Sequence, residues 1–211
     1  LLHSLRAAKP CHTISVHPIN RDATSWLLHA PDYAPLTHDQ FDALWRDAKP
    51  PHRPEGLIMG RRVTFPRFTQ AYGVDYSYTG QRAHALPFDA APPQLVDAYE
   101  ALGEPMRDAM PALAPNSALL NFYETSPQSA DYMGPHSDDE RSLVAAAPIV
   151  SLSWCTPGHR RRFRLLPRPG ASDTIVPPQW RHPRVAGLLM SLGNGDLVIM
   201  GGDCQRTHKH E

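Results

Sequence analysis

Cysteine is scarce in this chain. The three present, Cys11, Cys155 and Cys204, are odd in number, widely separated and without C-x-x-C spacing, which excludes a disulfide framework and a cysteine zinc cage. They read as free thiols in a reducing compartment. No apolar run is long enough to span a bilayer, and the opening LLHSLRAAKP has no apolar h-region of the kind that marks a secretory signal. Net charge is missing too: 21 Lys and Arg balance 21 Asp and Glu, so no global field draws the chain to a polyanion or an anionic membrane. Any such ligand needs a local basic patch. Internal repeats and low-complexity tracts are also absent. These absences leave a globular protein expected inside the cell, in nucleus or cytoplasm, with no membrane association.

Proline, by contrast, is plentiful, at 23 of 211 residues, about twice the ordinary share. Proline interrupts helices and sits comfortably in turns and at strand edges, so short strands joined by irregular loops are expected. Residues 1–35 show little periodicity. A helix follows: Thr37 and Gln40 have capping-box spacing, and Phe41, Leu44, Trp45 and Ala48 form one apolar stripe before Lys49-Pro50-Pro51 ends it. Leu57 to Phe65 suits a strand pair around Gly60. The stretch 66–80, PRFTQAYGVDYSYTG, mixes aromatics with polar residues and glycines and reads as a surface loop or hairpin. A second helix is expected from about Gln94 to Met110, kinked or split by Gly103 and Pro105.

From Ala118 the pattern turns to strands. Ala118 to Tyr123 is a short apolar run, and Val150 to Trp154 and Arg162 to Leu165 alternate with period two, sending Arg162 and Arg164 to one face and Phe163 and Leu165 to the other. Gly187 to Leu192 and Leu197 to Met200 are apolar runs joined by the tight-turn signal Gly193-Asn194-Gly195-Asp196. Short strands with Gly and Pro turns and no helices between them indicate a double-sheet β fold.

The chemistry centres on GPHSDDER, residues 134–141. His136 and Asp138 are two apart, which in a strand places both on one face, able to grip one ion together. A facial site of two imidazoles and one carboxylate, suited to non-haem Fe(II), needs one more histidine. The final segment GGDCQRTHKHE offers His208 and His210. With 12 histidines in the chain such a pair also arises by composition, and the segment reads equally as an acidic, solvated turn.

Taken in order, NFY at 121–123, HSDDE at 136–140, PIVSLSW at 148–154, RRFRL at 161–165 and GDLVIMGGDCQRTHKH at 195–210 resemble the AlkB-type Fe(II)/2-oxoglutarate-dependent oxygenases. The resemblance covers residues 57–211. It implies a mainly β protein with flanking helices, a double-stranded β-helix or jelly roll, acting as a monomer on nucleic acid that carries N-alkylated bases. Fe(II), 2-oxoglutarate and O2 are the implied cofactors, and oxidative dealkylation the implied reaction: hydroxylation of the N-alkyl carbon, then release of an aldehyde. The implied organisation is an N-terminal helical and loop-rich extension, 1–115, with a nucleotide-recognition lid at about 57–80, followed by a jelly-roll core, 116–211.

Residue by residue, the resemblance carries iron to His136, Asp138 and His210, with His208 beside the last ligand and a competing claim to its place. Asn121 and Tyr123 match the pair that contacts 2-oxoglutarate. Tyr78 matches the lid aromatic that stacks on a flipped base, since chemistry on a base requires taking it out of the stack. Asp139 and Glu140 fall near the base edge. Arg67 lies in one basic cluster with Arg61 and Arg62, and Arg160 to Arg164 with Arg168 form a second; each suits phosphate contacts or a solvated surface. Family members continue beyond the third ligand into a strand whose arginines bind the far carboxylate of 2-oxoglutarate. The sequence stops at Glu211, an apparent truncation. The expectation is that the natural protein runs on with at least one arginine, or that another basic group takes that role. Two alternatives stand beside this reading: a nucleic-acid-binding relative that has lost turnover, and an oxygenase acting on protein or a small molecule.

Overall fold

In the computed structural model, which describes residues 1–78, 81–126, 130–144, 147–171 and 173–211, and the backbone alone at 58, 76–78 and 81–83, each period-two stretch of the second half becomes a strand. The helices are α1 (Leu2–Ala8), α2 (His38–Ala48), α3 (Pro93–Ala109) and α4 (Cys204–Thr207). The strands are β1 (Ser15–Pro18), β2 (Ser25–Ala30), β3 (Glu55–Ile58), β4 (Arg61–Thr64), β5 (Phe68–Tyr72), β6 (Tyr76–Tyr78), β7 (Gln81–Ala83), β8 (Ala118–Phe122), β9 (Ile149–Ser153), β10 (Arg161–Pro167), β11 (Leu188–Leu192), β12 (Asp196–Gly202) and β13 (His208–His210). The chain divides into two compact units: Leu1–Phe41 with Ala101–Ala114 and Gly134–Glu211, and Asp42–Glu100 with Pro115–Met133.

The first unit is a pair of antiparallel sheets, ordered β1-β2-β12-β9 and β11-β10-β13. Leu27, Val198 and Met200 of the larger sheet and Phe163, Leu165, Leu188, Met190 and Leu192 of the smaller one form a single buried cluster with Ile19 and Trp180. Alternation sends the intervening residues of the larger sheet, Leu28, Ala30, Leu197 and Ile199, to its other face, against Leu5 of α1, Tyr33 and Leu102 of α3. β12 is therefore buried on both faces, which explains its unbroken apolar run. Each such side chain contributes roughly 1.5–3 kcal/mol by leaving water. The result is the double sheet of a jelly roll, mainly β with flanking helices.

In the second unit β5 pairs with β8, Phe68 opposite Phe122 and Thr69 opposite Asn121, and β3-β4 and β6-β7 are two-stranded hairpins. Trp45 of α2 meets the Phe122 ring edge-on at 5.5 Å between centroids. The capping box at the start of α2 forms as its spacing predicts: the Thr37 N–H donates to Gln40 Oε1 (2.9 Å) and the Gln40 N–H to Thr37 Oγ1 (3.3 Å).

Three expectations need correction. Residues 15–30, whose sequence shows little period, supply β1 and β2, because β2 takes its register from β12 rather than from its own alternation. The 66–80 stretch is not surface loop throughout, since Phe68, Ala71 and Tyr72 are buried in β5. α3 is not split: it continues through Gly103 and Pro105, where burial of Leu102 and Met106 offsets the roughly 3 kcal/mol that proline costs a helix interior. The tight turn at 193–196 forms as its residues predict; it joins strands of different sheets, and the Asp196 carboxylate closes it by accepting from the Gly193 N–H at 2.8 Å.

At the end of β12, Gly202 holds φ +62°, and a Cβ there would land on the carbonyl oxygen of Thr24. The left-handed conformation costs a non-glycine residue about 1–2 kcal/mol and overpacking about 1–3 more. Gly202→Ala is expected to lower the free energy of unfolding by about 2–5 kcal/mol in a urea titration. A loss within experimental error contradicts this account of the corner.

Candidate metal centre

His136 does not sit in a regular strand, as its spacing from Asp138 suggests. It makes one antiparallel bridge, to His210: the His136 N–H donates to the His210 carbonyl (3.0 Å) and the His210 N–H returns to the His136 carbonyl (2.7 Å). His210 ends β13, whose other edge pairs with β10, Leu165 opposite His210. Segments 74 residues apart are thus locked side by side through the backbone before any side chain is considered.

Asp138 completes the group. Its Oδ1 lies 3.7 Å from Nε2 of His136 and its Oδ2 lies 3.5 Å from Nε2 of His210. The two imidazole centroids are 4.1 Å apart. One ligand atom from each of the three residues lies within 4.8 Å of the others, and among the described residues no other group of three His, Cys, Asp or Glu side chains has this property.

The donor set fits a divalent cation with open positions. The Gly134 carbonyl lies 3.0 Å from Nδ1 of His136, so it accepts a hydrogen bond from the Nδ1–H and leaves the lone pair on Nε2, which faces Asp138. Burial, helped by the neighbouring His136, pushes the pKa of His210 down to about 3, so this imidazole stays neutral near neutral pH, the form that binds metal. Two imidazoles around one carboxylate form the facial triad associated with non-haem Fe(II).

The residues around the triad are held by polar ties that their sequence does not announce. Ser137 Oγ donates to the His208 carbonyl at 2.8 Å, and Arg168 donates from Nε to Ser137 Oγ at 3.2 Å and from Nη2 to Asp139 Oδ2 at 2.6 Å. The Asp138 N–H donates to Gln205 Oε1 at 2.9 Å. His208 is 1% exposed and stands outside the triad, with Nδ1 on Thr207 Oγ1 (2.8 Å) and Nε2 on Thr174 Oγ1 (3.2 Å). Burial lowers its pKa.

The remaining candidates are placed as follows. Glu140 is half-buried. Asp139 is ion-paired with Arg168, and Arg164 with Glu211. In the second unit Arg67 is only 5% exposed, so it belongs to no solvated basic cluster; its Nε donates to Asn121 Oδ1 at 3.1 Å and its guanidinium lies 5.4 Å from the Phe65 ring centre. Only an oxygen can accept from Arg67, so the contact also fixes which end of the Asn121 amide is which. Tyr123 follows β8, and its hydroxyl lies 3.8 Å from Met133 Sδ. Tyr78 ends β6; its side chain lies outside the described part of the structure.

No helix is long and apolar enough to cross a membrane among the described residues. No curated protein matches the chain. The solved structure of OsALKBH1 is similar at 19% identity over 87% of this chain and 82% of that one, with a TM-score of 0.45. The family model of the 2OG-Fe(II) oxygenase superfamily matches residues 14–211. The chain therefore belongs to the 2OG-Fe(II) oxygenase superfamily and is a dioxygenase that uses Fe(II), 2-oxoglutarate and O2.

Proposed function

We propose that this dioxygenase removes N-alkyl groups from nucleic acid bases, with iron held by His136, Asp138 and His210. The observation that carries the metal assignment is the convergence of those three side chains within 4.8 Å. The ordered motifs of the AlkB type, including the aromatic stretch at 66–80, support nucleic acid as substrate. Bound iron, 2-oxoglutarate and O2 supply the oxidising power for hydroxylating the N-alkyl carbon.

In this reading the protein holds and orients. His136 and His210 bind as neutral rings, and Asp138 supplies the one negative charge. Asn121 and Tyr123 contact 2-oxoglutarate. Arg67, by occupying Oδ1 of Asn121, leaves the amide NH2 as the end that donates to the co-substrate. Tyr78 stacks on the extruded base, and Asp139 and Glu140 accept from its exocyclic amine.

Each ligand variant, His136→Ala, Asp138→Ala or His210→Ala, is expected to lose Fe(II) in an anaerobic titration. Parent-like affinity in any of them removes that residue from the site. Base stacking on an aromatic is worth about 1–3 kcal/mol, so Tyr78→Ala should bind methylated oligonucleotide roughly tenfold more weakly while uncoupled 2-oxoglutarate turnover persists. The decisive assay is aldehyde release from methylated DNA and RNA oligonucleotides. Turnover of 2-oxoglutarate stimulated by a protein or small molecule instead, with none by oligonucleotides, overturns the substrate reading.

The neutral histidines also predict a pH dependence. Folded-state pKa values of His29, His208 and His210 lie below the ordinary 6.5, chiefly through burial. Below pH 6.5 the unfolded chain therefore binds more protons than the folded one, so metal-free stability falls as pH falls through that value, by up to about 1.4 kcal/mol per unit for each fully affected histidine. Urea midpoints of the metal-free protein should drop between pH 7 and 5. A flat profile contradicts the burial of neutral rings.

A further inference from the structure

We propose that Gln205 is a positioning residue for the metal: its side-chain oxygen fixes the backbone of Asp138 and thereby the direction from which the carboxylate meets the two imidazoles. The inference rests on the assignment of His136, Asp138 and His210 as ligands.

Asp138 follows a bridge residue, not a strand, so no ladder sets its backbone. A carboxylate outside a strand ladder can swing on both its backbone and its own χ angles, and a 20% exposed side chain has room to do so. Gln205 restricts the first of these. Its Oε1 accepts from the Asp138 N–H at 2.9 Å, and its Nε2 donates to Met200 Sδ at 3.5 Å. The two contacts fix the amide orientation, because a backbone N–H can be met only by the oxygen end. Met200 is 1% exposed and lies in β12, and the neighbouring Cys204 is 0% exposed, so the brace is anchored in the sandwich core.

The tie is neutral and dry. Gln205 is 9% exposed, whereas the Arg168 and Asp139 side chains that hold the next residue are 31% and 48% exposed and correspondingly weaker as a constraint. An amide oxygen provides an acceptor without a second negative charge beside the ligand carboxylate. Groups that orient metal ligands in this way are typically worth 10–100-fold in metal affinity.

The test uses the whole chain, metal-free, titrated anaerobically with Fe(II) and separately with Co(II), whose absorption spectrum reports ligand geometry. Gln205→Leu removes the acceptor and should weaken binding at least about tenfold and alter the Co(II) bands. Gln205→Glu keeps an acceptor at the same reach and should bind within a few-fold of the parent, with parent-like bands. Gln205→Met repeats the test should the leucine variant not fold, and the urea midpoint of each metal-free variant is recorded. Lowered midpoints with parent-like affinity and Co(II) spectra mean that Gln205 is structural only, which overturns the inference. The ligand assignment fails separately, through parent-like Co(II) binding by His136→Ala. If His136→Ala loses metal while Gln205→Leu binds as the parent does, only the positioning role falls.

Discussion

Two backbone hydrogen bonds between His136 and His210 carry the site. They exist because β13 is already fixed against β10, and β10 is fixed by Phe163 and Leu165 in the core between the sheets. The dependence runs in one direction. Apolar burial sets the sheets, the sheets set β13, β13 sets the bridge, and the bridge places two imidazoles with ring centres 4.1 Å apart. Because interiors pack at crystal-like density, a shift in the β10 side chains moves the ligands with them.

What could be read from the sequence follows from where each signal resides. The period-two strands of the second half, the α2 capping box and the His136 and Asp138 pair are local patterns with fixed spacing, whereas His210 was named through the family resemblance, and the structure brings the three side chains together. β1 and β2 were not legible, since β2 takes its identity from pairing with β12, far away in the chain, and β1 from pairing with β2. Arg67 looks, in sequence, like its exposed neighbours Arg61 and Arg62; its burial against Asn121 is set by the β5-β8 register, which no single-strand pattern encodes. Gln205 gave no signal and Arg168 read only as part of a basic stretch, because a polar side chain that bonds to a distant polar group has no type-specific spacing.

Charge explains why the centre suits a cation. Asp138 is the one carboxylate between two imidazoles, one of which is held neutral by burial and the other tied through Nδ1 to the Gly134 carbonyl. Partly desolvating a carboxylate is costly unless its charge is compensated. Protonating His210 does not readily supply that compensation, since burial holds its pKa down at about 3. A divalent ion can, while using lone pairs that the folded chain already directs inward.

The protein applies one device in both units. In the first, Gln205 is oriented by the Met200 sulfur and orients Asp138 through a backbone N–H. In the second, Asn121 is oriented by the buried Arg67 guanidinium, which can bond only to the amide oxygen and so directs the amide's donors elsewhere. In each case an amide that is symmetric in shape is made asymmetric in function by one partner that can only donate or only accept. That requires the partner to be buried, because water offers donors and acceptors alike and would let the amide turn over. The low exposure of Arg67, 5%, and Met200, 1%, is therefore part of how the polar groups are aimed, as well as of how the chain is held folded.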